Sequence, residues 1–169
     1  MDWLGRKPAS STMFVSFGSE YFLTKEDTEE IAYALELSNV NFIWVLRFPK
    51  GREISTREAL PPGFLERIGE RGRIVEGWAL QGRILGHLST SGFVSHWEWN
   101  SIMESLSLGV LIIAMPMQLD QPVNARLMVE IGAAVEVERD DDGKLHWEEM
   151  AEVVRGAVGG EIGEKLKRM

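Results

Sequence analysis

Two kinds of apolar pattern alternate along the chain. Short β-rich runs occupy 12–17 (TMFVSF), 41–48 (NFIWVLRF), 72–78 (GRIVEGW), 92–96 (GFVSH), 110–115 (VLIIAM) and 133–138 (AAVEVE). Between them lie segments in helical register. Residues 24–38 open with Thr24 and Asp27 at the spacing of a capping box, carry acids in the first turn, and place Ile31, Ala34 and Leu35 on one face. Short helices are predicted at 64–70 and 81–87, a longer one at 100–109 stopped by Gly109, one at 121–132 with Pro122 near its start and Gly132 at its end, and a last one over 146–160. Residues 49–63 form a polar loop rich in Pro and Gly. The near-continuous apolar character of 41–48 predicts a strand covered on both faces. Strands alternating with helices predict a doubly wound α/β fold with a parallel sheet, and 1–169 reads as a single domain.

Such sheets bind ligands at the carboxyl ends of their strands. The side chains that follow predicted strands are therefore the candidates for chemistry: Ser19, Trp78, Gln81, His96, Asn100, Asp120 and Gln121. The stretch HWEWNSIMES (96–105) is the most suggestive. His96, Asn100 and Glu104 are spaced four apart, on one helix face, and the helix start directs free N–H groups at whatever precedes it.

Each residue also has a plainer reading. His96 could be a base, a metal ligand, a phosphate donor or simply structural. Asn100 and Ser101 could serve only as the helix cap. Glu104 is either a solvated charge or an acceptor suited to a ribose diol. Trp78 is either core or a flat ring for stacking a base. Asp120 and Gln121 could simply start the next helix. Residues 17–20 (FGSE) lack the Lys and the glycine spacing of a P-loop, and neither G-x-G-x-x-G nor G-x-S-x-G occurs.

Composition narrows the classes. The net charge of −8 argues against a nucleic-acid or acidic-membrane binder, although a pocket with its own local charge could still take a small anion. The absence of cysteine removes disulfides and thiolate metal sites, and three histidines supply too few ligands for zinc. The start, MDWLGRKPAS, has no apolar h-region, and no apolar run approaches the ~20 residues that span a bilayer. The expected location is the cytoplasm.

Taken together, the signals form one long pattern. Residues 78–121 resemble, without a gap, the signature of plant small-molecule UDP-glycosyltransferases. That signature reads roughly W-A-P-Q-x-x-I-L-x-H-x-x-x-G-G-F-x-x-H-C-G-W-N-S-x-x-E, then G-V-P, a later P, and D-Q. Trp78, Ala79, Gln81, Ile84, Leu85, His87, Gly92, Phe93, His96, Trp99, Asn100, Ser101, Glu104, Gly109, Pro116, Asp120 and Gln121 fall in place. The stretches 2–20, 61–68 and 121–132 resemble the family as well.

The resemblance implies the C-terminal, Rossmann-like donor domain of a GT-B fold. By position, Trp78 would stack on uracil, with Ala79 and Gln81 near the base and ribose, and Glu104 would accept from the ribose hydroxyls. Ser19, His96, Asn100 and Ser101 would hold the diphosphate. Trp99, Asp120 and Gln121 would contact the sugar, with UDP-glucose as the expected donor. The implied reaction is inverting, uses no metal or other cofactor, and glucosylates a hydroxyl of a small natural product or its glycoside. The general base of the family belongs to an N-terminal half, so this chain is expected to be inactive alone and to meet its acceptor through that half or a separate chain. Neither nucleic acid nor membrane is an expected partner.

Four departures fall within the signature. Leu80 and Leu111 replace prolines, Ser91 replaces a glycine, and Trp97-Glu98 replaces Cys-Gly. Glu98 would bring a negative charge to the place of the diphosphate, where a like charge at ~4–6 Å is unfavourable by one to a few kcal/mol at an effective dielectric of ~20. Two rival readings follow. One is a redesigned or degenerate non-catalytic module, with Trp78, Trp97 and Trp99 lining a pocket for another flat ligand. The other is a bare structural domain.

Overall fold

A computed structural model describes residues 1–18, 21–49, 51, 54–115, 117, 121–130 and 132–159, with the side chains of 121–124 left aside. The strands are β1 (Thr12–Ser16), β2 (Asn41–Leu46), β3 (Gly72–Glu76), β4 (Thr90–Ser95), β5 (Leu111–Ala114) and β6 (Ala134–Glu136). All pair in parallel, in the order β3-β2-β1-β4-β5-β6. The chain winds outward from β1 to β3, then returns beside β1 and winds outward again from β4 to β6. The reversal leaves a crevice at the carboxyl ends of β1 and β4, the switch point where sheets of this kind take ligands.

The helices are α1 (Asp2–Gly5), α2 (Lys25–Ser38), α3 (Thr56–Ala59), α4 (Phe64–Ile68), α5 (Gln81–Leu85), α6 (Trp99–Ser107), α7 (Gln121–Glu130) and α8 (Trp147–Gly159), with a 3-10 turn at Gly69–Arg71. Strand β2 shows why both layers form. Phe42, Trp44 and Leu46 point into one apolar cluster with residues of α2, α4 and α8, while Ile43 and Val45 point into another with Leu4, Ile84 and Leu85. A two-residue alternation in which both phases are apolar can only be buried by helices on both sides. A third cluster beneath α6 and α7 gathers Trp97, Ile102, Ile112, Ala114, Ala125, Met128 and Ala134.

Several local expectations change. The predicted loop at 49–63 contains α3, which starts at a full capping box: Ser55 accepts from the Glu58 N–H, and the Glu58 carboxylate accepts from the Ser55 N–H. The Ser-x-x-Glu spacing was there to be read. Thr24 accepts from the Asp27 N–H as its spacing suggests, but the Asp27 carboxylate turns instead to Arg139, 2.9 Å away. The guanidinium offers the carboxylate a full opposite charge, which a single backbone N–H does not. Helix α6 begins one residue early, so its N-cap is Glu98, and Asn100 and Ser101 lie inside its first turn.

Candidate functional site

A cavity of about 550 Å³ opens at the switch point. Its floor comes from the ends of β1 and β2 through Phe14, Ser16, Gly18, Val45 and Arg47, and its walls from the segment after β3 and from α6. Trp78, Ala79, Leu80, Gln81, Asn100, Ser101 and Glu104 all line it, together with Glu98. Residues far apart in the sequence thus converge because each follows the end of a neighbouring parallel strand.

The indole of Trp78 stands 72 % exposed, two residues beyond β3. An exposed aromatic plane beside a cavity is a stacking surface and contributes little to the core. The Arg47 guanidinium lies 5.4 Å from the centroid of its ring, within cation–π range. Arg47 is a site residue that sequence reasoning missed. Its signal was a lone cation at the end of the apolar run 41–48. Its Nε is buried without a hydrogen-bond partner among the described residues.

Three residues on from Trp78, Gln81 Nε2 donates to Glu104 Oε2 at 2.8 Å and lies 3.4 Å from Ser101 Oγ. The Glu104 carboxylate is thereby held against the opening turn of α5. A Cβ placed on Gly82 would stand 2.6 Å from Glu104 Oε1, so the glycine is what admits the carboxylate. A fixed carboxylate with a free oxygen, facing a cavity, can accept from two adjacent hydroxyls.

The third wall is the start of α6. His96 is 6 % exposed, and its Nε2 lies 3.6 Å from Glu98 Oε2. Burial pushes the imidazole below the ordinary histidine value, and the Glu98 carboxylate opposes that shift. The ring is therefore neutral at pH 7, a donor or acceptor rather than a charge. Its Nδ1 has no partner among the described residues.

Two tryptophans expected near the pocket lie elsewhere. Trp97 is 1 % exposed and packs in the cluster beneath α6 and α7. Its backbone is left-handed, with φ 74°, and this turn swings the indole away from the cavity. The position marked in the sequence as a change in the pocket is a change in the core, and a pocket lined by three tryptophans is ruled out. Trp99 opens α6 on the outer surface, 54 % exposed, and does not line the cavity. Ser19 and Asp120 lie outside the described residues, as does the side chain of Gln121, whose backbone begins α7.

Among the described residues no group of three or more His, Asp or Glu side chains is placed to hold a metal ion, and no helix is long and apolar enough to cross a membrane.

Comparison with known proteins gives this geometry a context. A family profile described as "UDP-glucoronosyl and UDP-glucosyl transferase" matches residues 4–155. The chain is 59 % identical over 167 residues to the beta-D-glucosyl crocetin beta-1,6-glucosyltransferase of Gardenia jasminoides, covering 99 % of this chain and 38 % of that protein. It is 58 % identical over 168 residues to a mogroside IIIx synthase of Siraitia grosvenorii, covering 99 % and 36 %. Among solved structures, a transferase from Siraitia grosvenorii in complex with UDP aligns with a TM-score of 0.88 at 40 % identity, covering 99 % of this chain and 42 % of that one. The chain thus spans well under half the length of the relatives it matches.

Proposed function

This chain belongs to the UDP-glucoronosyl and UDP-glucosyl transferase family, its parallel sheet being the C-terminal half of a GT-B fold, and from that premise we propose that its cavity is the donor site of a plant glucosyltransferase. The donor is a UDP-sugar, UDP-glucose first. Uracil stacks on Trp78, and Ala79 and Gln81 flank the base and ribose. Glu104 accepts from the ribose hydroxyls. The N-terminus of α6, with His96, Asn100 and Ser101, faces the diphosphate. Ser19 completes that end, and Asp120 and Gln121 reach the sugar. The observation that carries this reading is the convergence of a free aromatic face, a buttressed carboxylate and a helix N-terminus around one cavity.

The reaction is an inverting transfer of glucose to a hydroxyl of a small natural product or its glycoside, without a metal or other cofactor. Relatives named for extending glucosides, such as the glucosyl crocetin enzyme, support the glycoside acceptor. Fixed donors stabilise the charge that gathers on the departing diphosphate, worth ~3–4 kcal/mol for a well-placed one. The base that deprotonates the acceptor comes from an N-terminal half or a separate chain, and the protein works in the cytoplasm without nucleic acid or membrane.

Titration with UDP, followed by tryptophan fluorescence, tests the reading. Binding with a quench, both removed by Trp78→Ala, is the expected result, since base stacking on an aromatic ring is worth ~1–3 kcal/mol. UDP affinity unchanged in Trp78→Ala refutes the stacking role. A second reading, a non-catalytic module of the same fold, is favoured by one observation: the Glu98 carboxylate at the diphosphate end.

A further inference from the structure

The anion-binding end of the cavity already holds an anion of the protein's own. Glu98 Oε2 lies 3.6 Å from His96 Nε2 and 3.3 Å from where a Cβ on Gly18 would stand. Gly18 follows β1 and His96 follows β4. The carboxylate therefore sits between the ends of the two strands that form the switch point, at the N-terminus of the nine-residue helix α6. The ring edge of His96 is turned to the same gap: its Cε1 and Nε2 stand 2.5 and 2.8 Å from that Cβ position on Gly18. Three features that would receive a phosphate thus meet at one point: the close approach of a glycine backbone, a buried imidazole and a helix N-terminus. The Glu98 carboxylate lies beside all three, without capping the helix by a hydrogen bond of its own.

Among the described residues the ion-pair partner of Glu98 is His96, whose ring burial holds neutral. Arg47 lies over the Trp78 ring, at the base end of the cavity. The base-and-ribose wall contains no such charge conflict, because Glu104 is paired with Gln81 and faces hydroxyls rather than phosphates.

We infer that Glu98 sets the ligand preference of this site, so that the chain takes the nucleoside half of its donor and discriminates against the diphosphate. The inference rests on the donor-site reading above. Uridine, with its base and ribose, makes every favourable contact that the walls offer. Each added phosphate enters the field of the Glu98 carboxylate, which cancels what the helix N-terminus contributes.

The test is calorimetry with uridine, UMP, UDP and inorganic diphosphate on the full chain and on two variants, Glu98→Gln and Glu98→Lys. Glu98 is half exposed, so the removed repulsion is screened and the expected gain is moderate. In the unaltered chain the affinities for uridine, UMP and UDP should agree within about threefold, and inorganic diphosphate should not bind. In Glu98→Gln affinity should rise with each phosphate, reaching about tenfold for UDP, and rise further in Glu98→Lys. Uridine affinity should be the same in all three proteins, which also shows that the variants fold. UDP binding tenfold or more tighter than uridine in the unaltered chain overturns the inference. So does a variant that shifts uridine and UDP equally. If uridine fails to bind any of the three, the donor-site reading falls first, and this one with it.

Discussion

Gly82→Ala should separate stability from ligand binding. Gly82 is the second residue of α5, where alanine is the better helix former by ~0.5–1 kcal/mol. The added Cβ would stand 2.6 Å from Glu104 Oε1 and 3.7 Å from the carboxylate carbon, and beyond its own chain neighbours and helix backbone it would meet no other described atom within 4 Å. The obstruction is the far end of a flexible side chain, so the carboxylate rotates and the backbone does not. Rotation breaks the 2.8 Å bond from Gln81 Nε2 to Glu104 Oε2. A bond to a charged group is worth ~1.5–3 kcal/mol, and partial exposure to water puts this one at the low end. Gain and loss nearly cancel, and the unfolding free energy should stay within ~1 kcal/mol of its starting value. Binding has no such compensation. A carboxylate turned out of the cavity no longer accepts from the ribose hydroxyls, at ~1.5–3 kcal/mol for bonds to a charged group, or about 10- to 150-fold in affinity. The assay is urea denaturation alongside calorimetry with uridine and 2′,3′-dideoxyuridine. Uridine should weaken and the dideoxy compound should not, because it lacks the hydroxyls. Uridine binding unchanged in Gly82→Ala would refute the ribose role of Glu104, and equal losses for both ligands would mean that the substitution damaged the base end.

Three further predictions are independent of one another. Trp97→Ala should cost ~3–5 kcal/mol of stability by opening a core cavity, whereas Trp99→Ala, at an exposed position, should stay within ~0.5 kcal/mol; similar losses by chemical denaturation would contradict their placement. His96 should titrate by NMR below the ordinary histidine value, and lower still in Glu98→Gln, because the carboxylate is the influence that raises it. The unfolded chain binds that proton first, so this contribution to stability is complete above the unfolded value of ~6.5 and is lost as pH falls through the lowered folded one; a His96 midpoint above the ordinary value would reverse the sign. The chain alone should release no UDP from UDP-glucose in the presence of a phenolic or glucoside acceptor, since a general base must stand ~2.6–3.2 Å from the acceptor hydroxyl; transfer that is lost on His96→Ala would assign that role to His96.

Periodicity found the sheet because its physics is local. Phe42 to Leu46 alternate into two apolar layers, and only a strand with helices on both sides can bury both phases. The order of strands and helices then placed Trp78, Gln81, Asn100 and Glu104 at one edge, since each follows a strand of the same parallel sheet. Side-chain direction at irregular positions was not legible in this way. Trp97 lies between two residues at the gap, His96 and Glu98, and so looked like part of the pocket. Its left-handed backbone was invisible in the spacing, because an L-residue with a bulky side chain rarely adopts it. Arg47 was missed for the opposite reason: its strand was read for apolar character, and the one cation in it was passed over.

The turn at Trp97 ties the core to the site. A left-handed backbone at a non-glycine residue costs roughly 1–2 kcal/mol. The indole, packed against Ile102, Ile112 and Met128, outweighs that, because removing a buried tryptophan side chain costs ~3–5 kcal/mol. The same turn determines where the next residue points. With Trp97 anchored inward and its backbone N–H donating to Ser95 Oγ at 3.2 Å, Glu98 emerges at the mouth of the cavity as the N-cap of α6. The two residues therefore form one unit, in which the first sets the conformation and the second supplies the charge. Substituting Trp97 alone should loosen the carboxylate as well as the core, so the effects of Trp97 and Glu98 substitutions on UDP affinity should fail to add.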